Sequence, residues 1–192
     1  MIESVLQRKN VKAGIRLTIK TALSAALIAV AVLLPQLVHL AAGAEGGMRW
    51  LPMYLPVLLG GCLLGWRWGL GVGILAPLVS FAVTSATGSP MPAAARLPYM
   101  MAELAVFAAV SGAFSSAVSK NAWMAFPAVL LASVSGRLFF LAFAAVFQSV
   151  SPLSAAAVWS QIQAGLPGLV LQAVVVPFVV MGIAALLNRN KK

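Results

Sequence analysis

The 192-residue chain contains no aspartate, and its only acids are Glu3, Glu45 and Glu103. Histidine occurs once, as His39, and cysteine once, as Cys62. These shortages exclude most site chemistry. Paired carboxylates for acid–base work are hard to assemble from three scattered glutamates. A Ser-His-Asp triad lacks its aspartate. One histidine and one cysteine cannot build a zinc site, and H-E-x-x-H does not occur. No G-x-x-x-x-G-K-[ST] run is present, so ATP hydrolysis by a phosphate loop is not expected. The chain therefore reads as a non-enzyme with no catalytic residue, metal or cofactor. A lone cysteine cannot form a disulfide within the chain, and Cys62, inside an apolar run, reads as a small packing residue.

Charge is scarce too. Charged residues make up 8% of the chain and hydrophobic residues 62%, against roughly a quarter charged in soluble domains. A soluble fold of this size leaves too much surface in water to hide that apolar content. Lipid is the solvent that fits, and a spanning helix needs about 20 mainly apolar residues. The expected fold is all-α, a single membrane domain over residues 1–192. Residues 1–16 form a basic segment, 17–187 a six-helix bundle and 188–192 a basic tail. The spans are read as Leu17–Leu40, Trp50–Leu64, Leu70–Ser85, Leu97–Val118, Trp123–Phe147 and Ile162–Leu187. Between them Ala41–Arg49, Gly65–Gly69, Thr87–Pro92, Ser119–Asn121 and Gln148–Ser160 read as loops or turns. The second span is short and carries Pro52 and Pro56, which calls for other protein or a cavity to cover its loosened backbone.

The net charge is +10. The basic residues sit at the ends of hydrophobic runs rather than on one face, which argues for topology signals and against nucleic-acid binding. With six spans, Arg8, Lys9, Lys12, Arg16, Lys20, Arg67, Lys120, Arg189, Lys191 and Lys192 share one side, and Arg49 and Arg96 the other. That bias places both termini in the cytoplasm.

Glu103 and Arg137 are the exceptional residues, because ionisable groups inside a span are costly unless paired or hydrated. Two compatible readings stand: they line a polar cavity and hold a solute, or they pair and lock the fourth and fifth helices together. Arg137 and Gln148 lie three helical turns apart on one face, with Ser133 one turn before Arg137. Gln161 and Gln172 are spaced likewise, and Tyr99 and Phe107 flank Glu103 by one turn each. Ala22, Ala25, Ala26 and Ala29 give the first span a small-residue face that suits close helix approach, either by another helix of this chain or by a second protein.

Several segments carry a resemblance. Leu51-Pro52-Met53-Tyr54-Leu55-Pro56-Val57-Leu58-Leu59-Gly60-Gly61 and Gly65-Trp66-Arg67-Trp68-Gly69 resemble the second-helix region of the substrate-binding S components of energy-coupling factor (ECF) vitamin transporters. Ala76-Pro77-Leu78-Val79-Ser80, Met101-Ala102-Glu103-Leu104-Ala105, Gly136-Arg137 and Gly165-Leu166-Pro167-Gly168-Leu169-Val170-Leu171-Gln172 resemble further blocks of that family, in order. The resemblance is greatest to the pantothenate and cobalamin type. Tyr54 stands where that pattern has histidine, and Phe107 where it has tyrosine. The resemblance implies a multi-pass protein of a prokaryotic plasma membrane that binds a vitamin-like solute from outside. It also implies docking on a transmembrane coupling protein with two ATPase subunits through the alanine face of the first helix. On this reading Arg137 bonds an acidic or carbonyl group of the solute. Glu103, Tyr99, Gln148 and Gln172 add polar contacts, and Tyr54, Phe140 and Trp159 cover its apolar parts. The rivals are a stand-alone transporter with Glu103 as proton carrier and a non-transporting scaffold.

Overall fold

The computed structural model describes residues 1–8, 10–147 and 154–189. Regular structure among them is entirely helical: α1 (Ile2–Arg8), α2 (Ala13–Trp50), α3 (Tyr54–Leu64), α4 (Trp66–Ala86), α5 (Leu97–Ala113), α6 (Ser115–Lys120), α7 (Ala125–Phe147) and α8 (Ala155–Arg189). Short 3-10 turns, Ala94–Arg96 and Ala122–Met124, lead into α5 and α7. Six segments are long and apolar enough to cross a membrane: Ala13–Gly43, Glu45–Leu64, Trp66–Ala86, Ala94–Ala113, Ala122–Phe147 and Ala155–Leu187.

The six-helix expectation holds, and several boundaries move. Ala41–Arg49 was expected to be a loop but is helical. The chain reverses at Gly43 alone, whose φ of 68° and ψ of −171° are open to a residue without a Cβ. The helix resumes because α8 supports it: a Cβ on Gly168 would stand 2.6 Å from the Trp50 carbonyl oxygen and 2.7 Å from that of Arg49. In lipid, glycine marks close helix approach as often as it marks a loop. The expected turn Gly65–Gly69 shrinks to Gly65 (φ 89°), and α4 starts at Trp66. The expected fourth span to Val118 ends at Ala113 and resumes beyond Phe114 as α6. The polar stretch before Ile162 is helical from Ala155 onward.

The centre of the bundle is α3, with ten of its eleven residues buried. It is enclosed by α2, α4, α5 and α8. This explains its near-uniform apolarity, since a helix surrounded by protein has no polar face to show. A glycine seam lets α3, α4 and α5 touch backbone to backbone. A Cβ on Gly61 would stand 2.9 Å from the Ala108 carbonyl oxygen, and one on Gly73 2.7 Å from that of Leu104. At the terminal end α1 packs against α3 and α6, burying Met1 and Leu6. Lys20 bonds Glu3 and holds its carboxyl below the ordinary value, and Arg16 lies 3.6 Å from it.

Replacing Gly61 with alanine is expected to cost about 1–3 kcal/mol, the scale of overpacking a tight contact. Gly71→Ala, where the new methyl meets open space, is expected to cost nothing. Thermal unfolding of the two variants in detergent checks this; equal midpoints would remove the seam from the account.

Candidate solute-binding site

The site is set by the junction between α2 and α3. Helix α2 ends on Leu51 in the left-handed conformation (φ 48°, ψ 51°), uncommon for a residue with a branched side chain. Gln172 of α8 donates to the Leu51 carbonyl at 2.7 Å and to that of Trp50 at 3.4 Å. Carbonyls freed at the helix end are thereby satisfied inside the protein. Pro52 and Met53 then turn the chain so that α3 opens with Tyr54 facing α5.

There the buried polar cluster forms. The Tyr54 hydroxyl donates to Glu103 Oε2 at 2.5 Å, and Arg137 Nη1 of α7 donates to Glu103 Oε1 at 2.8 Å. The Arg137 guanidinium carbon lies 5.0 Å from the Tyr54 ring centroid, within cation–π range. Glu103 is 2% exposed and Arg137 5%, so the ion pair is held almost entirely within the protein. Beneath Tyr54, the Phe107 ring meets it edge-on at 5.0 Å. Phe107 fits because Gly136, next to Arg137, has no side chain where that ring lies. The cluster thus ties α3, α5 and α7 together.

Above the cluster a cavity of about 390 Å³ opens at the end of the bundle away from α1. Tyr54 and Glu103 form its polar floor. Leu51, Met53, Met100 and Phe140 give apolar wall, and Gln161 and Arg96 reach it from α8 and the turn before α5. One side is closed by the segment around Met91. Its backbone N–H donates to Thr84 Oγ1 at 2.7 Å and its carbonyl accepts from Ser80 Oγ at 2.8 Å. Tyr99 stands in the wall, its ring edge-on to Phe143 at 5.1 Å and to Phe140 at 6.5 Å.

A model of the ECF transporter substrate-specific component matches residues 19–180. The chain belongs to that family. No curated protein and no solved structure matches it. As an S component it is a multi-pass membrane subunit of a transporter, with a small-molecule substrate and ECF module partners.

The residues picked out by sequence fall into distinct places in this S component. Tyr54, Tyr99, Glu103 and Phe140 line the cavity. Arg137 does not; it stands behind the floor and meets Glu103, as the pairing alternative describes. Gln172 is buried away from the cavity on the carbonyls of Trp50 and Leu51. Trp159 is 53% exposed and outside the cavity lining. Gln148 lies outside the described residues. Ala22, Ala25, Ala26 and Ala29 are all exposed, so no helix among the described residues covers that face. Among the lining residues not singled out as binders are Gln161, noted for its spacing, and Arg96, counted as a charge beyond the membrane. The position of Arg96 one residue before an apolar span that contains Glu103 was the available signal.

Removing one member of a buried ion pair strands the other and costs about 3–5 kcal/mol. Arg137→Ala is therefore expected to lower stability sharply. The double variant R137M/E103Q, which leaves neither charge, is expected to be more stable than R137A. Thermal unfolding in detergent reads both; a double variant less stable than R137A would mean the pair is not the cost.

Proposed function

We propose that this S component captures pantothenate from outside the cell for ATP-driven uptake by its partner subunits, with cobalamin as the alternative solute. The observation that carries the reading is the cavity: apolar walls above a floor made by Tyr54 and Glu103. Binding sites for small molecules are of this kind, concave and largely apolar with a few placed polar groups. A volume of about 390 Å³ sits near the low end of the roughly 300–1,000 Å³ range for such sites. That suits a short chain acid better than a corrinoid. The excess of lysine and arginine at the α1 end favours both termini in the cytoplasm of a prokaryotic plasma membrane, so that the cavity faces outward. In this reading Tyr99, Phe140 and Tyr54 enclose the solute. Arg137 acts through Glu103, holding the carboxylate in place. Gln172 acts through the backbone of Leu51, which is itself cavity wall.

The exposed alanines Ala22, Ala25, Ala26 and Ala29 are the docking face for the transmembrane coupling protein, which carries two ATPase subunits. Their exposure supports this, since a small-residue stripe gains by close contact with another helix.

Purified chain is expected to bind pantothenate in calorimetry and to release it in native mass spectrometry after growth in rich medium. Uptake into vesicles is expected only with the coupling protein and ATPases present. Uptake by this chain alone, driven by a proton gradient, would instead favour a secondary transporter built on Glu103. A chain that binds no solute would be a scaffold. For the docking face, Ala26→Leu is expected to keep solute binding and abolish co-purification with the coupling protein; retained co-purification would move the interface elsewhere.

A further inference from the structure

The cavity has two polar ends on one helix stripe. Arg96, Tyr99, Met100 and Glu103 follow one another at i, i+3, i+4 and i+7, and all four line the cavity. Glu103 marks the floor and Arg96 the rim. Seven residues separate them, about 10 Å at 1.5 Å per residue. Between them the stripe is the Tyr99 ring and the Met100 chain.

The two ends differ in charge and in freedom. At the floor, Glu103 Oε1 accepts from Arg137 and Oε2 from Tyr54. Each oxygen keeps a further lone pair, so the floor offers an acceptor. Arg137 does not line the cavity, and an anion pushed to the floor would meet the Glu103 carboxylate first. The rim is the reverse. Arg96 is exposed and has no acid within ion-pair distance among the described residues. The other charged groups at that end are Glu45 and Arg49, and neither lines the cavity.

We infer that Arg96, not Arg137, recognises the charge of the solute. The ligand lies with its anionic group at the rim on Arg96 and a hydrogen-bond donor, a hydroxyl or amide N–H, on Glu103. The backbone rise of about 10 Å between the two positions sets the scale of the ligand, about eight or nine extended bonds at about 3.5 Å per three bonds of chain. The solute class is an extended hydroxy- or amido-acid of that length. This rests on the solute-binding reading above and deepens it, because pantothenate carries hydroxyls at one end and a carboxylate at the other.

The test is calorimetry on the full chain in detergent with acids paired to their neutral forms: pantothenate with pantothenyl alcohol, and biotin, lipoate and nicotinate with their amides. The expected result is that the wild type binds one acid about tenfold more tightly than its neutral partner, the scale of one charge-assisted hydrogen bond at a wet rim. R96Q is expected to erase that preference, R96K to retain most of it, and added salt to narrow it. If biotin is the preferred acid, the pantothenate assignment fails while the inference stands on biotin; a preference for lipoate or nicotinate, which bring no hydroxyl or amide N–H donor to Glu103, overturns the inference. Equal weakening of acid and neutral form by R96Q overturns the inference, and so does an acid preference that survives R96Q. Binding of neutral forms alone overturns it and leaves a solute-binding subunit. Binding of none of these compounds overturns it together with the pantothenate assignment.

Discussion

Everything in this bundle depends on how one cation is accommodated in lipid. Arg137 cannot be deprotonated in any practical range, and an unpaired guanidinium inside a membrane costs several kcal/mol at least. Glu103 at 2.8 Å answers that cost, and Tyr54 at 2.5 Å occupies the second carboxylate oxygen. Three helices must converge to within side-chain reach for this to happen. The glycines make that possible: Gly61 and Gly73 bring α3 and α4 onto α5, and Gly136 leaves room for Phe107 beneath the cluster. The left-handed Leu51 and the Gln172 bond to its carbonyl then aim Tyr54 at the right point. Accommodating a single charge thus goes with the glycines that stand where α3, α4, α5 and α7 meet.

The same accommodation shapes the cavity. Because Arg137 is already neutralised, the floor presents a hydrogen-bond acceptor and not a free cation. The walls are apolar, and the free guanidinium stands at the rim. In the proposed binding mode, size and a donor group are read deep in the bundle and charge at the solvent-facing end, so that no interior ion pair has to break. That suits a subunit that carries no nucleotide motif and has three acids in the whole chain. Its family is that of the substrate-specific components of ECF transporters, which implies ECF module partners.

Much of the fold was legible in the sequence, because membrane spans are written in composition. Hydropathy located six spans, and the positions of Glu103 and Arg137 drew attention to the cluster they form. What escaped was whatever depends on which helix lies next to which. Ala41–Arg49 looked like a loop because its glycines were read by their freedom, whereas α8 uses that smoothness for contact. Gln172 was read as a solute contact from its three-turn spacing with Gln161 and from the family resemblance, and its partners proved to be carbonyls 121 and 122 residues away. Trp159 was chosen for its ring, with nothing in the local pattern to say which way it faced. Arg96 was overlooked because charges outside spans are read as topology signals, although its place just before α5, on the same stripe as Glu103, brings it to the cavity.

The exposed alanine face completes the physical picture. The first span packs against α3 as the others do, yet among the described residues it is the least buried of the six. In lipid there is no hydrophobic penalty for that exposure, so apolarity alone asks for no partner. The stripe of small side chains is different in kind. Small residues give lipid little to pack against and give another helix close backbone approach, so their advantage is realised only in contact with protein. The bundle therefore divides its work by side-chain size. Large residues and one ion pair shape the cavity at one end, and small residues along the first helix leave an exposed smooth face, the one proposed to seat a coupling subunit.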